Sequence, residues 1–382
     1  MQKSTNLDHN KNGFPHFMLK EIYEQPEAVR RFLTESIERA RGGRFELRDF
    51  GFRRKQVKKF SRITIAASGS SRHAGMAGEF MIERMAGVDV EVDFASQYCY
   101  RDPLVERDEL VILISQSGTT VDTLAALDLA RKKRGRTLAI CNVPNTPLTR
   151  EADATLLTQA GEEVAIAATK SFTTQLAALL VFAAYLAQQR GTSSKATDKA
   201  VRELRNLPEH IERVLESAAR CHALAQQFQR YEDFIYAGRD IDYPIAMEGA
   251  LKLKEVSYLH AEGYPTGELK HGPTALINEQ LPIVSIATHD RRDKESSLRY
   301  RKTVANIREF IDRRIPVLAI VTERDKEVAR LTPHCVEVPD VPVLLQPLLE
   351  VVPLQLLSYY IAALRGREID RPRNLSKSVT VE

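Results

Sequence analysis

RITIAASGSSRHAG, residues 62–75, and LVILISQSGTT, residues 110–120, decide the fold. Each is a short β-branched and apolar run that stops on a loop of hydroxyls and glycine, and a segment of helical spacing follows each, at 76–85 and at 121–133. VDVEVDF (88–94) lies between them and alternates as a strand; a strand at 137–142 and an apolar helix at 173–189 continue the series. Strand, loop and helix repeated in this way predict a parallel sheet with helices on both faces, because parallel neighbours need crossover connections.

On the N-terminal side, residues 1–17 read as a loose arm, and Ile22, Val29, Phe32, Leu33 and Ile37 predict one helix over 18–41. On the C-terminal side, GTSSKATDKA (191–200) has no apolar periodicity and marks a linker, or a loop opening a helix pair over 199–231. A second pass then begins: a strand at 234–237 ending in GRDIDYPIAMEGA, a helix over 245–262, a strand at 282–287, a helix around 296–311 and a strand at 317–321. The same order of elements occurs twice. The expected organisation is an arm and helix at 1–45, an α/β unit at 46–195, a second at 196–366, each a three-layer sandwich, and a tail at 367–382.

A chain of 382 residues suits two or three domains, and 43% apolar with 28% charged residues excludes a disordered chain. Lys and Arg number 55 against 51 Asp and Glu, a net charge of +4 that is too weak for nucleic acid but suits a small anion. Cys99, Cys141, Cys221 and Cys335 form no CxxC pair and meet no His cluster, so neither a zinc site nor a disulfide framework is expected. Reduced thiols and a polar N-terminus without a signal-type apolar run predict a cytoplasmic protein. The most apolar stretch, 176–187, is too short to span a bilayer, so no membrane partner is expected.

Ligands of open parallel sheets gather beyond the carboxyl ends of the strands, where helix N-termini attract anions. Ser68–Ser71 and Ser115–Thr120 fall at that place, with hydroxyls and with glycines that admit close approach. Serines that only cap helices are the plain alternative. Two such loops favour a phosphate monoester, and because GxxxxGK and GxGxxG are both absent, a small sugar phosphate rather than a nucleotide. Glu248, Lys252 and Glu255 share one face of the helix predicted over 247–262, a spacing that by itself reads as a solvated stripe. His271 stands in the turn-dense GELKHGP, where it is a candidate acid or base, and RPRNLSKSVTVE (371–382) is expected to fray.

YPIAMEGALKLKEVSYLHAEGYPTGELKHGP (243–273), SQSGTTVDT (115–123) and PRNLSKSVTVE (372–382) together resemble the isomerase half of the glucosamine-6-phosphate synthases, the glutamine–fructose-6-phosphate aminotransferases. The resemblance begins at HFMLKEIYEQP (16–26) and runs to Glu382. It implies two tandem sugar isomerase (SIS) subdomains, each with a mainly parallel five-stranded sheet, and it makes 367–382 a catalytic tail. Carried over by motif position, it implies that Ser71, Ser115, Gln116, Ser117 and Thr120 hold the phosphate of fructose 6-phosphate or glucosamine 6-phosphate. Glu255 is then the base that moves a proton between C1 and C2, with Lys252 beside it. His271 handles ring opening and reaches the site from the neighbouring subunit, which implies a homodimer. Lys377 attacks the ketose carbonyl or assists opening, Arg373 supports the tail, and Glu163 contacts the sugar.

No metal and no organic cofactor is required, since one carboxylate can take a proton from one carbon and return it to the next. A lysine amine activates a carbonyl when a desolvated site lowers its pKa. The chain departs from the family wording SQSGET, ASTKAF and NLAKS at Thr119, Ala168 and Ser376. AGEE and AATKS also resemble SIS-type glucosamine-6-phosphate deaminases, which makes deamination the alternative direction. Met1 precedes Gln2 and the first cysteine is Cys99, so the glutaminase domain with its N-terminal cysteine is expected to be lacking, and free ammonia or a separate glutaminase would supply nitrogen. A non-catalytic sugar-phosphate sensor is a further alternative. Glu255, His271 and Lys377 argue against it, as does the lack of a helix-turn-helix; RRKQVKK (53–59) reads as a solvated face.

Overall fold

The computed structural model describes residues 10–39, 44–106 and 108–380. Residues 1–9 of the expected arm, 40–43 and the last two residues of the tail lie outside these. The predicted helix over 18–41 is two, α1 (Phe17–Tyr23) and α2 (Gln25–Ser36), with Pro26 in the first turn of α2, a position where its missing N–H costs nothing. The chain then turns to strand and forms an antiparallel ribbon of β1 (Ile37–Arg39) with β2 (Phe45–Leu47), followed by the short α3 (Arg54–Val57).

The first unit runs β3 (Arg62–Ala67), α4 (Gly69–Ala86), β4 (Asp89–Phe94), α5 (Ala95–Arg101), β5 (Glu109–Ser115), α6 (Val121–Lys132), β6 (Arg136–Cys141), α7 (Pro147–Glu151), β7 (Ala154–Leu157) and α8 (Lys170–Arg190). Its sheet has the order β4-β3-β5-β6-β7 and is parallel throughout. After α9 (Lys195–Glu203), α10 (Leu207–Leu215) and α11 (Ala218–Phe228), the second unit runs β8 (Asp233–Gly238), α12 (Tyr243–Ser257), β9 (His260–Pro265), β10 (Ile283–Ala287), α13 (Lys294–Asp312), β11 (Val317–Thr322), α14 (Lys326–Leu331), β12 (Cys335–Val338) and α15 (Gln346–Leu364). Its sheet, β12-β11-β10-β8-β9, is again parallel and has the same order counted from its first strand. The fold is α/β, two three-layer units in tandem.

The sequence reading missed β9. The helix predicted to reach residue 262 ends at Ser257, because Tyr258 takes a left-handed conformation (φ 62°) that stops it, and the chain pairs with β8 from His260 onward. It also ran past β7 and β12, four residues each, too short for periodicity to register.

One continuous core holds side chains of both sheets, among them Ile65, Ile112, Tyr236 and Ile286, so the two units are packed into a single body. α4 packs on α8, α12 on α15, and α4 meets α12 between the units. The α4–α8 approach needs Gly78, where a Cβ would stand 2.9 Å from a methyl carbon of Leu179. The expectation drawn from 176–187 is corrected here: α8 and the segment Val343–Leu364 are both long and apolar enough to cross a membrane, but 94% and 83% of their apolar windows are buried inside the protein, as core helices are.

The strand order reverses between β3 and β5, and the loops leaving those two strands flank the crevice where ligands of such sheets sit. The SQSGTT loop is held in a tight form. Gly118 has φ +68°, and a Cβ there would stand 2.1 Å from Thr146 Oγ1 and 2.9 Å from Cys141 Sγ. Gly118→Ala is therefore expected to cost about 2 kcal/mol or more through strain and overpacking. Denaturant melts check this, and an unchanged midpoint would contradict the account of the loop.

Candidate active site

Ser68 precedes α4, while Gly69, Ser70 and Ser71 already form its first turn, so the expected loop is in fact a helix N-terminus with free N–H groups. Ser71 is nearly buried and its Oγ accepts from Gln175 Nε2 of α8 at 3.1 Å. Across the crevice, Ser115 Oγ accepts from Gly118 N at 3.0 Å and lies 3.1 Å from Thr120 Oγ1. Ser117 Oγ accepts from the Thr119 amide (3.3 Å) and hydroxyl (3.0 Å). The Gln116 carbonyl accepts from Asn142 N at 3.3 Å, tying the loop to the end of β6. Ser71, in the first turn of α4, and Ser115, Gln116, Ser117 and Thr120, on the loop from β5 to the N-cap of α6, thus flank the switch point.

The stripe on α12 is not solvated. Lys252 is fully buried; its Nζ is paired with Glu255 and lies 3.5 Å from Glu248 Oε1. Glu248 is also fully buried and accepts from Ser70 Oγ and His73 Nδ1, both at 2.8 Å, so the face joins the first turns of α4. Burial pushes the Glu248 carboxyl up, but Lys252, His73 and Ser70 outweigh it and hold it below the usual range. Burial likewise pulls Lys252 down, and Glu255 and Glu248 raise it above the ordinary value. Lys252 is therefore held as a cation between two carboxylates, with Glu255 partly open to solvent. His73 and Gln175 were not singled out from the sequence: His73 could have been marked only by its place just after the SGSS loop, and Gln175, on α8, by nothing in the sequence.

The tail does not fray. The Arg373 amide donates to Tyr258 Oη at 2.9 Å and its guanidinium stacks 4.3 Å from that ring, which fixes the tail to the end of the α12 helix. Farther on, Val121 N, at the start of α6, donates to the Val379 carbonyl at 3.0 Å. Between these anchors Lys377 Nζ donates to Glu163 Oε2 at 2.7 Å and to the Ala165 carbonyl at 2.6 Å. Glu163 Oε1 accepts from Thr169 N and Ser171 N at the start of α8, and Oε2 from Ser171 Oγ at 2.7 Å. Burial raises this carboxyl, but Lys377 and those donors bring it down to about 2. His271 lies on the turn Glu268–His271, exposed, and its side chain makes no hydrogen bond or ion pair among the described residues. The structure thus links Glu255, Lys252, the serine loops, Glu163, Arg373 and Lys377, while among the described residues the His271 side chain bonds to none of them.

The equivalent crevice of the second unit is filled. Arg299 Nη2 donates to Gln346 Oε1 at 2.6 Å, and Nη1 lies 3.3 Å from Asp242 and 3.5 Å from Asp240. Buried Glu350 faces the same group, with its carboxyl pushed up to about 7 chiefly by burial, and burial raises that of Asp242 well above its usual value. A guanidinium of the chain occupies the place that an anion could take. No group of His, Cys, Asp or Glu suited to a metal ion occurs among the described residues.

The SIS domain family matches residues 57–185 and 231–365. The chain is 45% identical over 372 residues to the isomerizing glutamine–fructose-6-phosphate aminotransferase of Chlorobaculum tepidum, covering 97% of this chain and 59% of that protein. The corresponding protein of Thermus thermophilus is 44% identical over 373 residues, covering 97% and 60%. The chain thus spans about 60% of the length of the curated relatives it matches. Among solved structures, the C-terminal domain of glucosamine-fructose-6-phosphate aminotransferase from Francisella tularensis superposes with a TM-score of 0.88 at 38% identity, over 95% of this chain and 100% of that one. A glucosamine-6-phosphate deaminase from Thermotoga maritima gives 0.69 at 21% identity over 95% and 99%, a likeness of fold alone. With two matched regions and two parallel sheets of one strand order, the chain belongs to the SIS domain family, as a tandem pair of SIS domains.

Proposed function

We propose that the chain interconverts fructose 6-phosphate plus ammonia with glucosamine 6-phosphate. The observation that carries this reading is the buried Glu248–Lys252–Glu255 array, tied at one end to the SGSS turn and open at the other at Glu255. A sensor needs only an anion seat, whereas this array presents a partly open carboxylate on a fully desolvated cation.

In this reading the phosphate sits among Ser71, Ser115, Gln116, Ser117 and Thr120, held by hydroxyls and the N-termini of α4 and α6. From its seat between Glu163 and the Ala165 carbonyl, Lys377 acts on the ring-opened ketose, and Glu163 contacts the sugar. Ammonia adds to the C2 carbonyl and water leaves, giving an imine. Glu255 then takes a proton from C1 as the imine nitrogen gains one from water, forming an enolamine, and returns its proton to C2 while the C1 hydroxyl gives one back to water and becomes the aldehyde. Lys252 pairs with Glu255 and holds its carboxylate in place. His271 assists ring opening from a second subunit, which makes the working unit a homodimer; its exposed, unengaged place within one protomer supports this. Ammonia comes from solution or from a separate glutaminase, and the four free thiols suit the cytoplasm. The synthetic direction is favoured over deamination by the 38–45% likeness to the aminotransferases against 21% for the deaminase.

Glu255→Gln is expected to lower kcat for glucosamine 6-phosphate formation about 10²–10⁴-fold with the fold intact. A product assay with fructose 6-phosphate and ammonium checks it, and undiminished turnover contradicts the role of Glu255. Co-expressed Glu255→Gln and His271→Asn chains are expected to regain about a quarter of wild-type activity, since half the random dimers carry one intact site. No regain would show that His271 is not shared.

The Lys377 seat has an acid-side signature. The Glu163 carboxyl lies at about 2 in the folded protein against an ordinary 4.5, so it contributes stability that is fully present above about 4.5 and lost as pH falls towards 2. Denaturant melts of wild type and Glu163→Gln over that window are expected to show a loss about 3 kcal/mol smaller in the variant. Parallel losses would place Glu163 outside any such pair.

A further inference from the structure

The SIS matches leave out α1, yet this helix supplies a buried carboxyl group to the loop that seats Lys377. Glu21 is 1% exposed; its Oε1 accepts from the amides of Val164 and, at 3.3 Å, Ala165, while its buried Oε2 has no hydrogen-bond partner. The same short loop carries Glu163 and the Ala165 carbonyl, the two acceptors of the Lys377 amine. α1 is in turn held by the tail: the Asp370 carboxylate accepts from the amides of Phe17 and Met18, both at 3.0 Å, and the Asp370 carbonyl accepts from Ile166 N at 3.0 Å. Lys170, at the start of α8, reaches back to Glu24 at 2.6 Å. Loop, tail and α1 therefore meet at one junction, and among the described residues the loop's two central amides have no acceptor but Glu21.

We infer that Glu21 is a positioning residue for Lys377, fixing the Val164–Ala165 backbone so that the Ala165 carbonyl and the Glu163 carboxylate together receive the amine. The inference rests on the proposed action of Lys377 on the sugar. Glu21 touches no reacting atom; it acts through the loop. Three charged groups face it: Glu163 and Lys377 from the site and Lys170 from α8. Burial first, and then the Glu163 charge, push its carboxyl up to about 8. A neutral acid at this place leaves Glu163 as the single counter-charge of the Lys377 ammonium, and the carbonyl oxygen of a neutral Glu21 still accepts from both amides.

Three variants of the full chain separate positioning from simple packing. Glu21→Gln keeps an acceptor at the same reach, Glu21→Asp draws it back by one methylene, and Glu21→Met fills the space without an acceptor. With fructose 6-phosphate and ammonium, kcat is expected to fall tenfold or more in Asp and Met, to stay within about threefold of wild type in Gln, and KM for the sugar to move less than about threefold in all. The second readout needs no turnover. Reductive methylation by formaldehyde, followed by peptide mass spectrometry on protein that elutes as folded, should modify Lys377 several times faster in Asp and Met than in wild type and Gln. If Met does not fold, Asp carries the comparison. Equal kcat and equal labelling in all folded variants would overturn the inference, as would a Gln variant as impaired as Asp. A wild type inactive with both phosphosugars would overturn the proposed function instead, and the labelling ranks would still decide the place of Glu21.

Discussion

A fully buried ammonium group is the constraint on which the site depends. Lys252 has left water, and an unpaired charge in such a place would cost several kcal/mol, so two carboxylates must stand against it. Glu248 meets the demand from the preceding turn of α12 and Glu255 from the following one. Glu248 must itself be satisfied, and Ser70 and His73 of α4 do so. A requirement that begins with one lysine thus fastens α12 of the second unit to the SGSS turn of the first. Breaking a buried pair of this kind typically costs about 3–5 kcal/mol, whereas an exposed i,i+4 pair is worth a few tenths.

Two units with the same strand order present two switch-point crevices, and they have different fates. In the first, serine hydroxyls and helix N-termini meet at the crevice; in the second, Arg299 with Asp242, Gln346 and Glu350 closes it. The second unit lends α12, the helix with the Glu248–Lys252–Glu255 array, while α1 and the tail join the two units from outside the repeated fold. The site is a junction of pieces from four places in the chain, which accounts for the single continuous core.

Much of this was legible in the sequence. The two parallel sheets followed from the repeated order of β-branched runs and helical segments, and the serine loops were found because they end strands that had already been identified. The stripe Glu248–Lys252–Glu255 was visible as spacing, but spacing is the same for a solvated face and a buried one, and the structure alone shows that Lys252 is desolvated. β9 was lost because HAEGYP has no β-branched residue and follows a helix without a glycine or proline stop. The tail read as frayed because its anchors, Tyr258, Glu163 and Val121, lie more than a hundred residues away in the chain. Glu21 was hidden for the same reason: in an amphipathic helix a glutamate reads as the wet side until its partners are seen.

The account stands on a phosphosugar lying across the strand ends of the first unit within reach of Glu255. A crystal structure of the protein with glucosamine 6-phosphate bound tests this most directly. The account predicts the phosphate among the hydroxyls of Ser71, Ser115, Ser117 and Thr120, with C1 and C2 beside the Glu255 carboxylate. A phosphate seated elsewhere, or a sugar whose C1 and C2 lie out of reach of that carboxylate, would contradict it.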